Sequence, residues 1–439
     1  MKVLYLIAER DIHAMDIKDI LVMELGIREF TGPSLKEAVE ERYNGLSDGG
    51  KRRVNRLIAR EAIKALRAGS DPWKRREDGK KEELSGAGVL AVNHVGPLDI
   101  TIEWKTGPGG ILGEAACHSH PGGDQANVAK VFSAFGEKIA LVAVTGKKDG
   151  EMTAEWEREF LNERIIPSLI RAYEEDQPVA VYNIVDGSPL PAMFEWAGEL
   201  SSETVDEINR GSLSMLEAMF KGGRENVWMV LSAGGPLKYN SRLAYYSSLV
   251  EKVKNKYGDR VELLIDFKHV SGRDEAMSVL EIDRQVPQDI IKPNLEEFIQ
   301  ILAWSGLAAE GSLDEREVSE DVLRKYALEL RKKYNLLGVL VSMGKDGSML
   351  ALVDRIIRDK GVDIKPVCHT AAGDSLKAGF VYALSKGKPF EEALHTGNLF
   401  GAATASMPGT LTVTPEKFAE VEALARALKV EPRVEFIGS

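Results

Sequence analysis

An aspartate that follows three small residues and opens a helix, Ala371-Ala372-Gly373-Asp374, is the pattern in this 439-residue chain best suited to chemistry. Backbone N–H groups at such a helix start point outward together and carry the positive end of the helix dipole, which suits a phosphate. Small side chains let a ligand approach that backbone. A carboxylate beside such a turn is a poor phosphate binder but a good acceptor for a hydroxyl proton. Asp374 would serve equally well as a plain helix cap, and on this stretch alone the two readings stand level.

Three further segments hold candidate ligands. IIKPNLEEF (290–298) places Asn294 and Glu297 three apart at a helix start, where their oxygens suit Mg2+ directly or through its water shell; an N-cap with a first-turn acid is the simpler alternative. VLVSMGKDGSMLA (339–351) reads as strand, glycine-bounded turn and strand, with Ser342, Gly344 and Gly347 able to bring backbone to a nucleotide or to form a plain hairpin. HPGGDQANVAKVFSAFG (120–136) joins a glycine pair to a helix with Gly123, Asp124 and Asn127 at its mouth, which a structural turn also explains. No GxxxxGK[ST] loop, GxGxxG turn or HExxH pair occurs, and the histidines form no ligand-like group.

The elements that must hold these residues alternate. VLAVN, KIALVAV, VWMVLS, VELLID and LLGVLVSM are apolar runs between amphipathic helical stretches, which argues for a buried, mainly parallel sheet with helices on both faces. DIKPV (363–367) reads as a strand end leading into the Asp374 turn. The stretches 101–119 and 177–196 lack a crossover helix and predict a small antiparallel flap. Residues 1–85 differ: SLKEAVEERY has capping-box spacing at Ser34 and Glu37, VNRLIAREAIKALRAG has a helical apolar stripe, and DPWKRREDGKKEELSGAG is a charged linker. A net charge of −11 argues against nucleic acid or an anionic membrane as the main partner. The absence of a CxxC pair between Cys117 and Cys368, and of a long apolar run, fits a cytoplasmic protein.

In order, these segments resemble the ribokinase-like sugar kinases, the phosphofructokinase-B family, and most nearly the 1-phosphofructokinase and tagatose-6-phosphate kinase branch. The resemblance runs from about Val89 to about Phe418. VNHVGPLDITIEW is similar to the opening strand, PGGDQANVA to the GGxxxN substrate signature, KPNLEE to the NxxE motif, VSMGKDG to the nucleotide-side turn, AAGDS to the GxGD anion hole and LFGAATASMPGT to the segment flanking adenine. It implies an α/β ribokinase-like domain over 86–439, with a β lid near 100–120 and 177–198 that is also a possible homodimer contact, and a helical extension before it. It implies transfer of the ATP γ-phosphoryl to a sugar hydroxyl, with Asp374 as base and Ala371, Ala372 and Gly373 as anion hole. Asp99, Gly123, Asp124, Asn127 and Asn183 would grip the acceptor, Ser342, Gly344, Gly347 and Asn398 the nucleotide, and Asn294, Glu297 and Asp266 the Mg2+. Two departures shape the expected acceptor. Asp124 stands where the phosphosugar branch has lysine, and Ala180, Val181 and Tyr182 where it has an arginine; both favour a neutral sugar, with Lys130 a candidate replacement cation and a phosphosugar the alternative. Ala371 replaces the first glycine of GxGD, which fits an anion hole if its φ is negative. A sugar- or nucleotide-sensing module without catalysis is the reading from another class.

Overall fold

The computed structural model describes residues 6–7, 10–11, 42–67, 84 and most of 86–437. Within that last span residues 94–97, 107–111, 148–149, 161–163, 172–178, 186–187, 190–192, 195–200, 233–238, 269, 271, 282–288, 316–317 and 408–411 lie outside the description. So do most of the segment expected to form a helix from Ser34 and nearly all of the charged linker.

The apolar runs become strands because each is long enough to cross the core and ends at a turn. They are β1 (Val89–Asn93), β4 (Ile139–Thr145), β7 (Val227–Ser232), β8 (Val261–Asp266) and β10 (Gly338–Ser342). With β5 (Ile165–Arg171) and β9 (Asp289–Lys292) they form seven parallel strands in the order β10-β9-β8-β7-β1-β4-β5. The antiparallel strands β11 (Ser348–Ala351), β12 (Arg355–Asp359) and β13 (Arg433–Phe436) extend the β10 edge to a ten-stranded sheet. Strand residues alternate between two buried clusters, as a period of two requires. Ala91, Val230, Leu264, Ile290 and Leu340 pack with Val128 and Phe132 of α2 (Asp124–Ala134), Phe380 of α4 (Ala372–Ser385) and Phe400 of α5 (Phe390–Ala405). Val92, Leu231, Ile265, Ile291 and Val341 pack on the opposite face with Phe298 of α3 (Leu295–Trp304) and with the helices Ser202–Lys221, Tyr239–Tyr257 and Glu320–Lys333.

That alternation fixes what stands at the carboxyl ends of the strands. Two residues beyond Ala91, Val230, Leu264, Ile290 and Leu340, on the same face, come Asn93, Ser232, Asp266, Lys292 and Ser342. Ser232 lies beside Asp266, and Asp266 beside Lys292, in the strand register. A row of polar residues thus crosses the carboxyl edge, where open α/β sheets bind ligands. Helices α4 and α5 pack on each other at unusually short range: a Cβ on Gly397 would stand 2.8 Å from the Leu376 carbonyl oxygen.

Two sequence expectations are corrected. The lid is a mixed sheet, not an antiparallel one: β2 (Leu98–Thr106) pairs antiparallel with β3 (Leu112–Pro121) but parallel with β6 (Val179–Val185). Residues 363–367 form no strand; Pro366 offers no N–H, and the segment meets the core through Ile364 and the bond from Val367 N–H to the Ala405 carbonyl. Helix α1 (Asp48–Arg67) forms where its spacing predicts, and of its stripe Val54, Leu57 and Ile58 are described and pack on the core, while the side chains of Ile63 and Leu66 lie outside the description. Val54, Ile58 and Ala59 join the buried cluster that holds Val179 and Val181, and Asn55 Nδ2 donates to the Val179 carbonyl at 3.2 Å. Among the described residues no helix is long and apolar enough to cross a membrane.

Candidate active site

Helix α4 starts without a side-chain cap, and its N-cap residue Ala371 has φ 62° and ψ 0°. The negative φ expected of this alanine is therefore not found. A Cβ in the left-handed region costs about 1–2 kcal/mol, and the tight turn before α4 holds that strain. Asp374 lies in the first turn, 3% exposed, and its Oδ2 accepts a 2.8 Å hydrogen bond from Asn127 Nδ2. Asn127 reaches it because Gly123, at φ 105°, turns the chain into α2 at that point. Two of the sequence candidates, 247 residues apart, are thus in direct contact.

Three lysines outside the sequence candidates complete the site. Lys377, one turn after Asp374, is wholly buried; its ammonium lies 2.7 Å from Asp266 Oδ2 and 3.5 Å from Asp374 Oδ1. Lys292 Nζ stands 3.3 Å from Asp266 Oδ1 and borders Gly373, at 3.8 Å from where a Cβ would be. Lys268, with a side chain 35% exposed, lies 2.8 Å from Asp124 Oδ1 and 3.6 Å from Asp374 Oδ1. The other oxygen of Asp124 accepts from Ser232 Oγ at 3.0 Å, and Gln125 Nε2 donates to that hydroxyl at 2.9 Å. Carboxylate oxygens of Asp124, Asp266 and Asp374 all lie within 4.8 Å of one another, so this is a compact knot of three acids and three ammoniums.

The lysines decide the protonation of the knot. Burial alone would raise the Asp266 carboxyl, but Lys292 and Lys377 outweigh it and hold it below the ordinary range. Burial likewise opposes the charge on Lys268, yet Asp124 and Asp374 keep it well above the usual lysine value. Lys377 is raised in the same way by Asp266 and Asp374. Positive charge is therefore present at the glycine-pair loop after all. It is carried by Lys268, so the part of the neutral-acceptor expectation that rested on Asp124 falls away, while the part that rested on Ala180, Val181 and Tyr182 stands.

The remaining candidates are less uniform. Asn294 and Glu297 form a capping box on α3: Asn294 Oδ1 accepts from Glu297 N–H and Glu297 Oε2 from Asn294 N–H, both at 2.8 Å. Burial, then the charge of Asp266, push the Glu297 carboxyl up. Ser342 ends β10, and Gly344 and Gly347 turn the chain with φ 56° and 79°. Gly347 is required there, because a Cβ would meet the Asp359 carbonyl at 2.1 Å. Asn398 does not open toward the turn: its Oδ1 accepts from Ser348 Oγ at 2.9 Å and its Nδ2 donates to the Asp359 carbonyl at 3.4 Å, tying α5 to the sheet. Asp99 and Asn183 lie on adjacent lid strands, opposite Ala180 and Ile102, and their side chains fall outside the description.

Residues 244–417 match the model of the pfkB family carbohydrate kinases. That stretch, 174 of the chain's 439 residues, is similar to a pfkB family domain. The bifunctional protein HldE of a Nitratiruptor species is 30% identical over 119 residues, which are 27% of this chain and 25% of that relative; the chain thus spans a quarter of its length. Phosphofructokinase-2 from Escherichia coli superposes with a TM-score of 0.60 at 19% identity, over 77% of this chain and 98% of that one. Ribokinase from Thermotoga maritima does so with a TM-score of 0.53 at 17% identity, over 77% and 99%. The fold is ribokinase-like, and the matched stretch holds Asp266, Lys268, Lys292, Asp374 and Lys377, while Asp124 and Asn127 precede it.

Proposed function

We propose that this protein is an ATP-dependent sugar kinase in which Asp374 takes the proton of the attacking hydroxyl. The observation that carries this reading is the contact of Asp374 with Asn127 beneath an uncapped helix start. A base, a group from the acceptor-side loop and an anion-binding turn meet there at one point. The hydroxyl oxygen bonds to the γ-phosphorus as the bridging oxygen to the β-phosphorus leaves, and the amides at Ala372 and Gly373 meet the charge on the phosphoryl oxygens. Asp266 and Glu297 are hard oxygen donors that suit Mg2+. Since ammoniums already occupy both Asp266 oxygens, these residues would hold the ion largely through its water shell. When bound, Mg2+ neutralises charge on the β- and γ-phosphates.

The acceptor is a sugar or sugar phosphate. With Asp124 neutralised by Lys268, a phosphorylated acceptor meets no net repulsion at the glycine-pair loop. ATP consumption by the full chain, measured against a panel of free and phosphorylated sugars, tests the activity. At least one acceptor is expected to turn over, and Asp374→Asn is expected to lower kcat by about 10³-fold or more with the ATP KM nearly unchanged. Near-normal turnover in that variant would remove Asp374 as the base.

A further inference from the structure

Lys268 is the one lysine of the knot that reaches solvent. Lys292 and Lys377 are buried with both Asp266 oxygens and are fixed from below, whereas Lys268 crosses from the end of β8 to bridge Asp124 and Asp374 over the mouth of the site. A phosphoryl group transferred to a hydroxyl held by Asp374 arrives beside a carboxylate whose Oδ1 lies 3.6 Å from that ammonium. The related branch carries its cation on the glycine-pair loop itself, where this chain has Asp124.

We infer that Lys268 is a catalytic residue that supplies the relocated positive charge for the transferring phosphoryl group, and that Asp124 serves to position it. This rests on the phosphoryl-transfer reading above. In the free protein Lys268 is shared between two carboxylates. During transfer Asp374 accepts the hydroxyl proton and loses its negative charge, so one of those two attractions vanishes as charge appears on the phosphoryl oxygens. The ammonium gives up no proton; its field is handed from Asp374 to the phosphoryl group. Such an interaction is stronger in the transition state than in the ground state, which is the condition for raising kcat. Asp124 remains paired throughout, anchored by Ser232 and Gln125, and keeps the lysine over the site.

Calorimetric binding of MgADP, alone and with aluminium fluoride as a mimic of the transferring phosphoryl group, tests this on the full chain. Wild type should bind MgADP, and more tightly with the fluoride. Lys268→Met should leave MgADP binding within about threefold and remove about tenfold or more of the fluoride-dependent tightening. Two double variants separate chemistry from simple charge balance. Asp124→Asn with Lys268→Met removes the pair neutrally and should recover nothing. Asp124→Lys with Lys268→Met returns the cation to the loop and should recover much of the tightening, together with turnover of any acceptor found. Full recovery by the neutral pair, no loss in Lys268→Met, or no tightening in the wild type overturns the assignment of Lys268 while leaving the kinase reading intact. Failure of the wild type to bind MgADP at all sinks both.

Discussion

Two helices begin at the edge of the same cleft and begin differently. Helix α3 closes on itself: Asn294 and Glu297 satisfy each other's backbone N–H groups, so its start needs no ligand. Helix α4 has no side-chain cap, a left-handed alanine at its entrance and a buried aspartate in its first turn. Both looked alike as sequence, a small or polar residue ahead of an acid. A helix start that spends its polar side chains on its own amides is arranged for stability. One that leaves them uncapped beside buried charge is arranged for something that arrives later.

Substitutions at the two starts should therefore separate activity from stability. After Asp374→Asn, the largest effect is expected from Gly373→Ala. Its methyl would meet only Lys292 Nζ at 3.8 Å, an ordinary contact, so stability should hold or rise by up to about 1 kcal/mol as a helical glycine is replaced. The same methyl intrudes on the anion-binding backbone, and misplacement of the phosphoryl group should lower kcat by about 100-fold. Urea midpoints and initial rates measured on one preparation check both halves. A parallel fall in stability and rate would make the α4 start merely structural.

Asn294→Ala is the reciprocal experiment. Loss of half the capping box should cost about 1 kcal/mol in urea unfolding, with the rate changed much less. If the rate falls far more than stability does, Asn294 holds Mg2+ as the NxxE resemblance implies, and the contrast between the two helices narrows. Smaller again is Ala371→Gly. Relief of left-handed strain, roughly 1–2 kcal/mol, is offset by the greater freedom of glycine in the unfolded chain, leaving a gain of about 0.5 kcal/mol.

How much of this was legible in the sequence depends on range. The five apolar-run strands and the helix after Asp374 are written in local apolar patterns, and they form where those patterns place them, unlike the strand end read at 363–367. The knot is written in pairs distant along the chain: Asp266 meets Lys377 111 residues on, and Asp124 meets Lys268 144 residues on. Locally Lys377 is one more long residue on an amphipathic helix, and Lys268 a charge after a strand. One signal was available for Lys292. It lies two residues past Ile290 on a fully buried strand, and a lysine in phase with core residues must find an acid. The parallel β2–β6 pairing also joins segments about 80 residues apart, and no local alternation sets its direction.

The smallest and most diagnostic change is Glu297→Gln. A glutamine oxygen can still accept from Asn294 N–H, so the capping box survives while the charge beside Asp266 is removed. Burial and Asp266 raise the Glu297 carboxyl in the folded protein above its unfolded value. Between those two values the native state holds more protons than the unfolded one, so this group lowers stability as pH rises through the window and keeps it lowered above it. The glutamine variant escapes that penalty. It should match or exceed wild type in urea midpoint at pH 7, and the advantage should shrink as pH falls to about 4, where the unfolded glutamate is itself protonated. Affinity for MgADP separates the roles of the carboxylate: a drop alongside unchanged or improved stability would mean that a residue doing local duty in α3 also serves the site that α4 opens, and the two starts would then differ in degree of exposure to the ligand rather than in kind.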